Sequence, residues 1–154
     1  MDYTPGMDEF PPAAPGNPAD FLILIVDDED DIRMLVEYNL KKEGFQTMTA
    51  VDGRDALTKL EPRAPDMIFL DLMMPGQSGY EFLRHLQGSG HARIPVVIAT
   101  ARSLDSTTIA VILQEGNVVE FFTKPFEWPK IMTAIHTRLK TLRPSPRQRD
   151  KSGP

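Results

Sequence analysis

The stretch that decides the fold is "FLILIVDDEDDIR", residues 21–33. Six apolar residues run directly into five acidic ones, from Asp27 to Asp31. An uninterrupted apolar run is typical of a strand covered on both faces, which is the usual situation in a parallel sheet. Like charges at the end of such a strand repel one another unless something positive lies among them. The stretch therefore predicts a buried strand and raises the question of what neutralises the charges that follow it.

The composition is that of an ordinary globular protein of one domain. The chain has 154 residues, of which 41% are hydrophobic and 25% charged, and this is enough to bury a substantial core. It has no cysteine, which excludes disulfides, zinc–thiolate sites and iron–sulfur clusters. The longest apolar run is too short to cross a bilayer, and the N-terminus lacks a signal-peptide pattern. We therefore expect a cytoplasmic protein without a membrane partner.

The two ends of the chain differ in composition from its middle. Residues 1–20 contain five prolines and four acidic residues but no basic one, so they are predicted to form an acidic arm that is extended or disordered. Residues 143–154 are predicted to form a basic, proline-containing tail, which leaves 21–142 as the folded domain. The basic residues near the end have no aromatic residues among them, so a nucleic-acid partner is not expected.

Five apolar runs alternate with five helical patterns between these ends. The strands are predicted at 21–26, 45–50, 66–71, 94–100 and 120–123, and the helices at 28–43, 55–61, 80–87, 106–115 and 129–142. The fourth helix is rich in β-branched residues and is the weakest by propensity. The alternation predicts an α/β protein of the flavodoxin-like (βα)5 type, a doubly wound parallel sheet with strand order 2-1-3-4-5.

Polar residues follow these apolar runs at their carboxyl ends. Asp27 and Asp28 follow the first strand, Asp71 and Thr100 end the third and fourth, and Lys124 follows the fifth. In an open parallel sheet, ligand sites form outside the carboxyl ends of the strands, where the strand order reverses. Three carboxylates, a hydroxyl and an ammonium group are therefore expected in one pocket. Such oxygen ligands suit Mg²⁺, which keeps positions open for phosphate oxygens.

Four blocks at these strand ends carry a family resemblance. "ILIVDDE", "MIFLDLMMPGQSGYEFL", "PVVIATA" and "FFTKPF" resemble the signature blocks of the response-regulator receiver domain of two-component signalling. The resemblance extends over residues 21–142. It implies that Asp71 is the phosphoacceptor, and that Asp27, Asp28, Asp71 and the main-chain carbonyl of Met73 bind Mg²⁺.

The same resemblance implies roles for residues on the fourth and fifth strands. Thr100 would bind a phosphoryl oxygen, Lys124 would pair with the phosphoryl group, and Phe121 would be the aromatic residue that switches position together with Thr100. Three further residues match family positions, namely the turn glycine Gly79, Ala101 directly after Thr100, and Pro125, which is often cis-linked in the family.

The function implied is that of a phosphoacceptor and not of an enzyme acting on a separate substrate. Asp71 would accept a phosphoryl group from a phosphohistidine, and the protein would catalyse only its own phosphorylation and dephosphorylation. The implied partners are a sensor histidine kinase or histidine phosphotransfer protein, a downstream protein target, and a second copy bound through the fourth and fifth helices. Since residues 143–154 are too few to form an output domain, we expect a stand-alone regulator; a receiver fragment of a larger regulator is the alternative.

Two other classes of protein fit the chain less well. A phosphatase of the haloacid dehalogenase type also has an aspartate nucleophile after a strand, but it needs a second aspartate two residues later, where Met73 stands. A flavodoxin-like electron carrier needs a phosphate loop rich in serine and threonine after the first strand, where this chain has acids.

The chain departs from the family pattern in one region. The segments 100–116 and 116–124 are each one residue longer than is usual in the family, and Val118 and Val119 replace acidic or small residues. We therefore expect the fourth helix and the loop after it to be displaced or partly unwound. The three histidines, His85, His91 and His136, share no metal-ligand spacing and are assigned no role.

Overall fold

The computed structural model describes residues 14–75, 79–100 and 104–145. In these ranges five parallel strands form one sheet: β1 (Leu22–Val26), β2 (Gln46–Ala50), β3 (Met67–Leu70), β4 (Val96–Thr100) and β5 (Val118–Thr123). Their order is β2-β1-β3-β4-β5, which confirms the predicted topology. The helices are α1 (Asp30–Lys42), α2 (Gly53–Leu60), α3 (Gly79–Gly88), α4 (Ser106–Leu113) and α5 (Trp128–Leu139), preceded by a short 3₁₀ helix at Pro18–Asp20. No helix in the described ranges is long and apolar enough to span a membrane.

The apolar run that opens the sequence forms the centre of two hydrophobic cores. Every residue of β1 is buried, and successive side chains point to opposite faces of the sheet. Leu24 and Val26 pack in the core that includes residues of α2, α3 and α4, whereas Ile23 and Ile25 pack in the core that includes residues of α1 and α5. Burial of each such side chain contributes about 1.5–3 kcal/mol to folding. The uninterrupted apolar pattern therefore reflects a strand that is covered on both sides.

Helix α1 begins and ends where its charges and its glycine predict. Asp30 and Asp31 lie in its first turn and Lys41 and Lys42 in its last, an arrangement that complements the helix dipole. The chain then turns at Gly44, whose φ of 99° lies in the left-handed region that favours glycine. The helix thus directs the chain from the carboxyl end of β1 back to the start of β2.

Strand β5 contains one residue more than the strand beside it. The pairing between β4 and β5 shifts next to Val97, which leaves Val119 without a partner on β4 and so forms a β-bulge. The extra residue in segment 116–124 is therefore absorbed inside the strand. Helix α4 is regular over Ser106–Leu113, so the unwinding expected there is absent from residues 106–113.

Residues 14–20, which we predicted to belong to the arm, pack on the domain. The Gly16 amide donates a hydrogen bond to the Lys140 carbonyl (2.8 Å), and the Leu142 amide donates one to the Gly16 carbonyl (2.8 Å). Pro18, in the short 3₁₀ helix, is buried. The packed unit therefore includes residues before 21, whereas residues 1–13 of the predicted arm lie outside the described ranges.

The carboxyl-terminal end also differs from the prediction of a helix over 129–142 followed by a separate basic tail from residue 143. Helix α5 ends at Leu139 because Lys140 adopts the left-handed conformation (φ 55°). Leu142, which lies in the predicted range of this helix, is 61% exposed. Arg143 instead donates a hydrogen bond from Nε to Oε1 of the buried Glu43 (2.8 Å). A long-range charge pair therefore holds residues 140–143 on the domain.

Deleting residues 1–18 is expected to lower the melting temperature by about 3–8 °C, because the deletion removes a buried proline and both Gly16 hydrogen bonds. Calorimetry should still show a single unfolding transition, since the strands are untouched. A shorter deletion of residues 1–13 isolates the contribution of residues 14–18. An unchanged melting temperature for the longer deletion would contradict the packing seen at this end.

Candidate functional site

Three carboxylates converge at the carboxyl ends of β1 and β3. Because these strands are neighbours, with Val26 beside Leu70, the residues that follow them, Asp27 and Asp71, lie side by side. One carboxylate oxygen of each of Asp27, Asp28 and Asp71 lies within 4.8 Å of the others. Asp27 and Asp71 are each only 2% exposed. The structure thus brings together the acidic residues that the sequence placed at separate strand ends.

Hydrogen bonds from nearby main-chain amides fix the orientation of the two buried carboxylates. Asp27 Oδ1 accepts from the Glu29 amide (2.9 Å), and Asp71 Oδ1 accepts from the Met73 amide (3.0 Å). The Arg33 guanidinium donates to the Asp27 carbonyl (2.8 Å), which ties the loop after β1 to the first turns of α1. Each carboxylate therefore has one oxygen held by its own loop, and the loops set where the other oxygen points.

The carboxylate cluster is costly without a cation. The pKa of Asp27 is raised from 3.8 to about 6, mainly by burial and in smaller part by the charges of Asp71 and Asp28. The Glu29 amide and the Lys124 ammonium group lower it but do not offset the burial. Ionised Asp27 is therefore unfavourable in this fold, and a divalent cation among the three carboxylates would relieve the repulsion.

Lys124 reaches the cluster from the end of β5. Its Nζ lies 3.9 Å from Asp27 Oδ2 and 3.9 Å from Glu29 Oε1. The same Nζ lies 5.7 Å from the centre of the Phe126 ring. The Lys124–Pro125 peptide bond is cis, as the family resemblance implied. Nothing in the sequence around Glu29 indicates its pairing with Lys124.

Thr100 places a buried hydroxyl group at the end of β4. The residue is completely buried, and its Oγ1 has no hydrogen-bond partner among the described residues. A buried polar atom without a partner costs about 1–3 kcal/mol. Such a group is commonly explained by an ion or water that is not part of the protein. This hydroxyl therefore suits a ligand oxygen.

The β-bulge places Phe121 on the same sheet face as Thr100. Phe121 pairs with Ile98, two residues before Thr100 on β4, so both lie on the face covered by α4. Val118 packs in the same core as Phe121, although regular alternation would put residues three apart on opposite faces. The extra residue at Val119 accounts for this geometry. Phe121 is half-buried and contacts the core at its edge.

Gly79 lies directly against the backbone of the Asp71 loop. A Cβ atom at this position would lie 2.3 Å from the Asp71 carbonyl oxygen and 2.8 Å from the Leu72 Cα. Any side chain here would therefore displace the loop that carries Asp71. Gly79 begins helix α3, so its role is close packing of this helix. Ala101, the other family position noted above, lies outside the described residues.

His136 has a structural place that the sequence did not indicate. It is buried, its Nδ1 lies 2.7 Å from Thr141 Oγ1, and its Nε2 lies 3.5 Å from Glu43 Oε1. Burial lowers the pKa of His136, although the Glu43 charge acts in the opposite direction. Since Glu43 also binds Arg143, these residues hold the carboxyl-terminal segment and take no part in the carboxylate cluster.

Comparison with known proteins decides the family. Residues 23–136 match the response regulator receiver domain. The chain belongs to the response regulator receiver family. It is 34% identical over 123 residues to the phosphate regulon transcriptional regulatory protein PhoB of Rhizobium meliloti (strain 1021), a match that covers 79% of this chain and 53% of PhoB. This receiver therefore spans about half the length of that curated relative.

Solved structures support the same assignment. The receiver domain of NtrX from Brucella abortus superimposes with a TM-score of 0.69 at 34% identity, covering 78% of this chain and 99% of that one. The Vibrio cholerae chemotaxis protein CheY4 gives a TM-score of 0.69 at 27% identity, with coverages of 76% and 97%. Both matches leave between a fifth and a quarter of this chain uncovered.

Proposed function

We propose that this receiver accepts a phosphoryl group on Asp71 from the phosphohistidine of a sensor histidine kinase or histidine phosphotransfer protein. The observation that carries the proposal is the convergence of three carboxylates with a buried hydroxyl, Thr100, that lacks a partner among the described residues. Family membership supports it, because Asp71 stands at the family's acceptor position. The proposed location is the cytoplasm, where such donors are found.

The residues of the cluster fit a Mg²⁺ ion. Asp27, Asp28 and Asp71 offer hard oxygen ligands within 4.8 Å of one another, and the main-chain carbonyl of Met73 would complete the protein's share of the coordination sphere. When bound, Mg²⁺ neutralises negative charge on the phosphoryl oxygens. The charge of the ion would also offset the repulsion among the three carboxylates.

The transfer itself needs positioning more than a strong nucleophile. Asp71 Oδ1 is held by the Met73 amide, so we assign the other carboxylate oxygen as the atom that attacks phosphorus. A P–O bond to Asp71 forms while the P–N bond to the donor histidine breaks, and the imidazole leaves. The Thr100 hydroxyl donates to one phosphoryl oxygen, and the Lys124 ammonium pairs with another, which stabilises the charge that develops. The protein thereby catalyses only its own phosphorylation and, with water as the nucleophile, its dephosphorylation.

The test is transfer from acetyl phosphate or from a phosphorylated histidine protein in the presence of Mg²⁺. A single acyl phosphate on Asp71 is expected, located by mass spectrometry, and a chelator should prevent its formation. Label on another residue, or label that the chelator leaves undiminished, would contradict the proposal.

A second candidate is that the chain is the receiver part of a larger regulator. The observation that favours it is the match to PhoB, because the chain covers only 53% of that protein. An antibody raised against this chain distinguishes the two cases. A cellular protein of the size of this chain supports a single-domain regulator, whereas a much larger one supports a regulator with an output domain.

The phosphorylation signal is proposed to leave through the α4, β5 and α5 surface, by protein binding or by passing phosphate along a relay. Thr100 moving toward a phosphoryl oxygen would open space that Phe121 can fill by turning inward. Phe121 has no hydroxyl group to hold it outside, so apolar burial favours the inward position. Helix α4 has two exposed apolar side chains, Val111 and Leu113. They would contact a downstream target or a second copy that binds this surface.

Beryllofluoride, a phosphoryl mimic, is expected to change hydrogen exchange over residues 102–122 and in α5. The physical reason is that α4 is short and rich in β-branched residues, so it has the least local stability to resist rearrangement. The Asp71→Asn variant treated in the same way is the control, and it should show no change. Changes confined to the neighbourhood of Asp71 would show that the α4 surface does not respond.

A further inference from the structure

Glu29 occupies a helix-capping position without serving as a cap. It is the N-cap residue of α1, yet its side chain makes no capping hydrogen bond. Its amide is held by Asp27 Oδ1 (2.9 Å), which fixes where the side chain leaves the loop. The side chain is 60% exposed, and its Oε1 lies 3.9 Å from Lys124 Nζ. The conformation therefore directs this carboxylate toward the lysine and not toward the free amides of the helix.

Lys124 is held by the loop after β1 and not by the acceptor. Among the described residues, the carboxylates within 4.0 Å of its Nζ are those of Asp27 and Glu29, each at 3.9 Å. The Asp71 carboxylate is not one of these two. A phosphoryl group on Asp71 would therefore have to compete with these two carboxylates for the ammonium group.

We propose that Glu29 is a positioning residue that competes with the phosphoryl group for Lys124 and so limits the affinity of the site for that group. The inference rests on the proposed function of Asp71. A divalent cation bound to Asp27 would neutralise part of its charge and so weaken its attraction for Lys124. Glu29 is then the carboxylate that still holds the lysine. Because Glu29 is largely exposed, the competition is a graded adjustment and not a switch.

The test is the affinity for beryllofluoride at saturating Mg²⁺, measured by calorimetry on the full chain. Glu29→Gln removes the charge but keeps the shape, and it is expected to lower Kd by about two- to fivefold. Asp31→Asn is the matched control, because it removes an equal charge from an exposed site two residues away. This control should change Kd by much less. High salt should reduce the effect of Glu29→Gln, since exposed charges are screened.

A double-mutant cycle separates action through Lys124 from a general charge effect. In a Lys124→Gln background, Glu29→Gln is expected to leave Kd unchanged, because the contact it removes no longer exists. Equal shifts from Glu29→Gln and Asp31→Asn, or a Glu29→Gln effect that survives in the Lys124→Gln background, would overturn the inference alone. A wild-type protein that binds no beryllofluoride would overturn the proposed function and this inference with it.

Discussion

Asp71→Asn is expected to abolish phosphoryl labelling of the protein completely. An amide oxygen or nitrogen is a far poorer nucleophile toward phosphorus than a carboxylate, so the variant lacks the proposed attacking group. The variant should fold, because an asparagine Oδ1 can still accept the hydrogen bond from the Met73 amide. Labelling with acetyl phosphate and Mg²⁺, followed by mass spectrometry, is the measurement.

Asp31→Asn is the control for this loss, since Asp31 is an exposed aspartate of α1. It should be labelled as well as the wild type. The melting temperature of Asp71→Asn should be at or above that of the wild type, because removing one charge from the cluster relieves repulsion. Such a result would show that the loss of labelling does not come from unfolding. Label on Asp71→Asn at the wild-type level would refute the assignment of the acceptor.

The sequence predicted the fold and the clustering of the acidic residues because both depend on pattern and topology. Apolar runs that alternate with helical periodicity specify a parallel sheet with covered faces, and the strand order follows from the usual connections. Once β1 and β3 are neighbours, Asp27 and Asp71 must meet, whatever the details of the loops. The lack of a hydrogen-bond partner for the Thr100 hydroxyl among the described residues could not be predicted in this way, since it depends on what surrounds one buried atom.

The features that the sequence did not predict depend on contacts between distant residues. Glu43 and Arg143 are 100 residues apart, and nothing local in either segment indicates that they pair. Acidic residues at the start of a helix are ordinarily explained by the helix dipole. The position of Glu29 therefore gave no reason to expect its contact with Lys124. The extra residue of segment 116–124 was visible as a length, but only the strand pairing shows that it is Val119 in a bulge.

Replacing both Asp27 and Asp28 with asparagine is expected to weaken Mg²⁺ binding by at least about tenfold. The double variant removes two of the three carboxylates that lie within 4.8 Å of one another, and neutral amides attract a divalent cation far less. Calorimetric titration with Mg²⁺ measures the change. The matched control replaces Asp30 and Asp31, which removes the same charge from the first turn of α1 and should leave Mg²⁺ affinity nearly unchanged. A double variant of Asp27 and Asp28 that binds Mg²⁺ as tightly as the wild type would exclude the cluster as the metal site.

The same double variant is expected to be more stable than the wild type in metal-free buffer at neutral pH. The pKa of Asp27 is raised from 3.8 to about 6, which corresponds to roughly 3 kcal/mol against its ionised form in the folded state. Metal-free wild type should therefore lose stability as the pH rises from about 4 through about 6, whereas the asparagine variant lacks this loss. The variant's advantage in melting temperature, about 6–12 °C, should be complete above pH 6 and vanish below pH 4. Lys124 loses Asp27 as a partner but keeps Glu29 beside it, so the lysine offsets little of the gain. If the double variant were less stable than the wild type at neutral pH, repulsion among the carboxylates would not destabilise the fold.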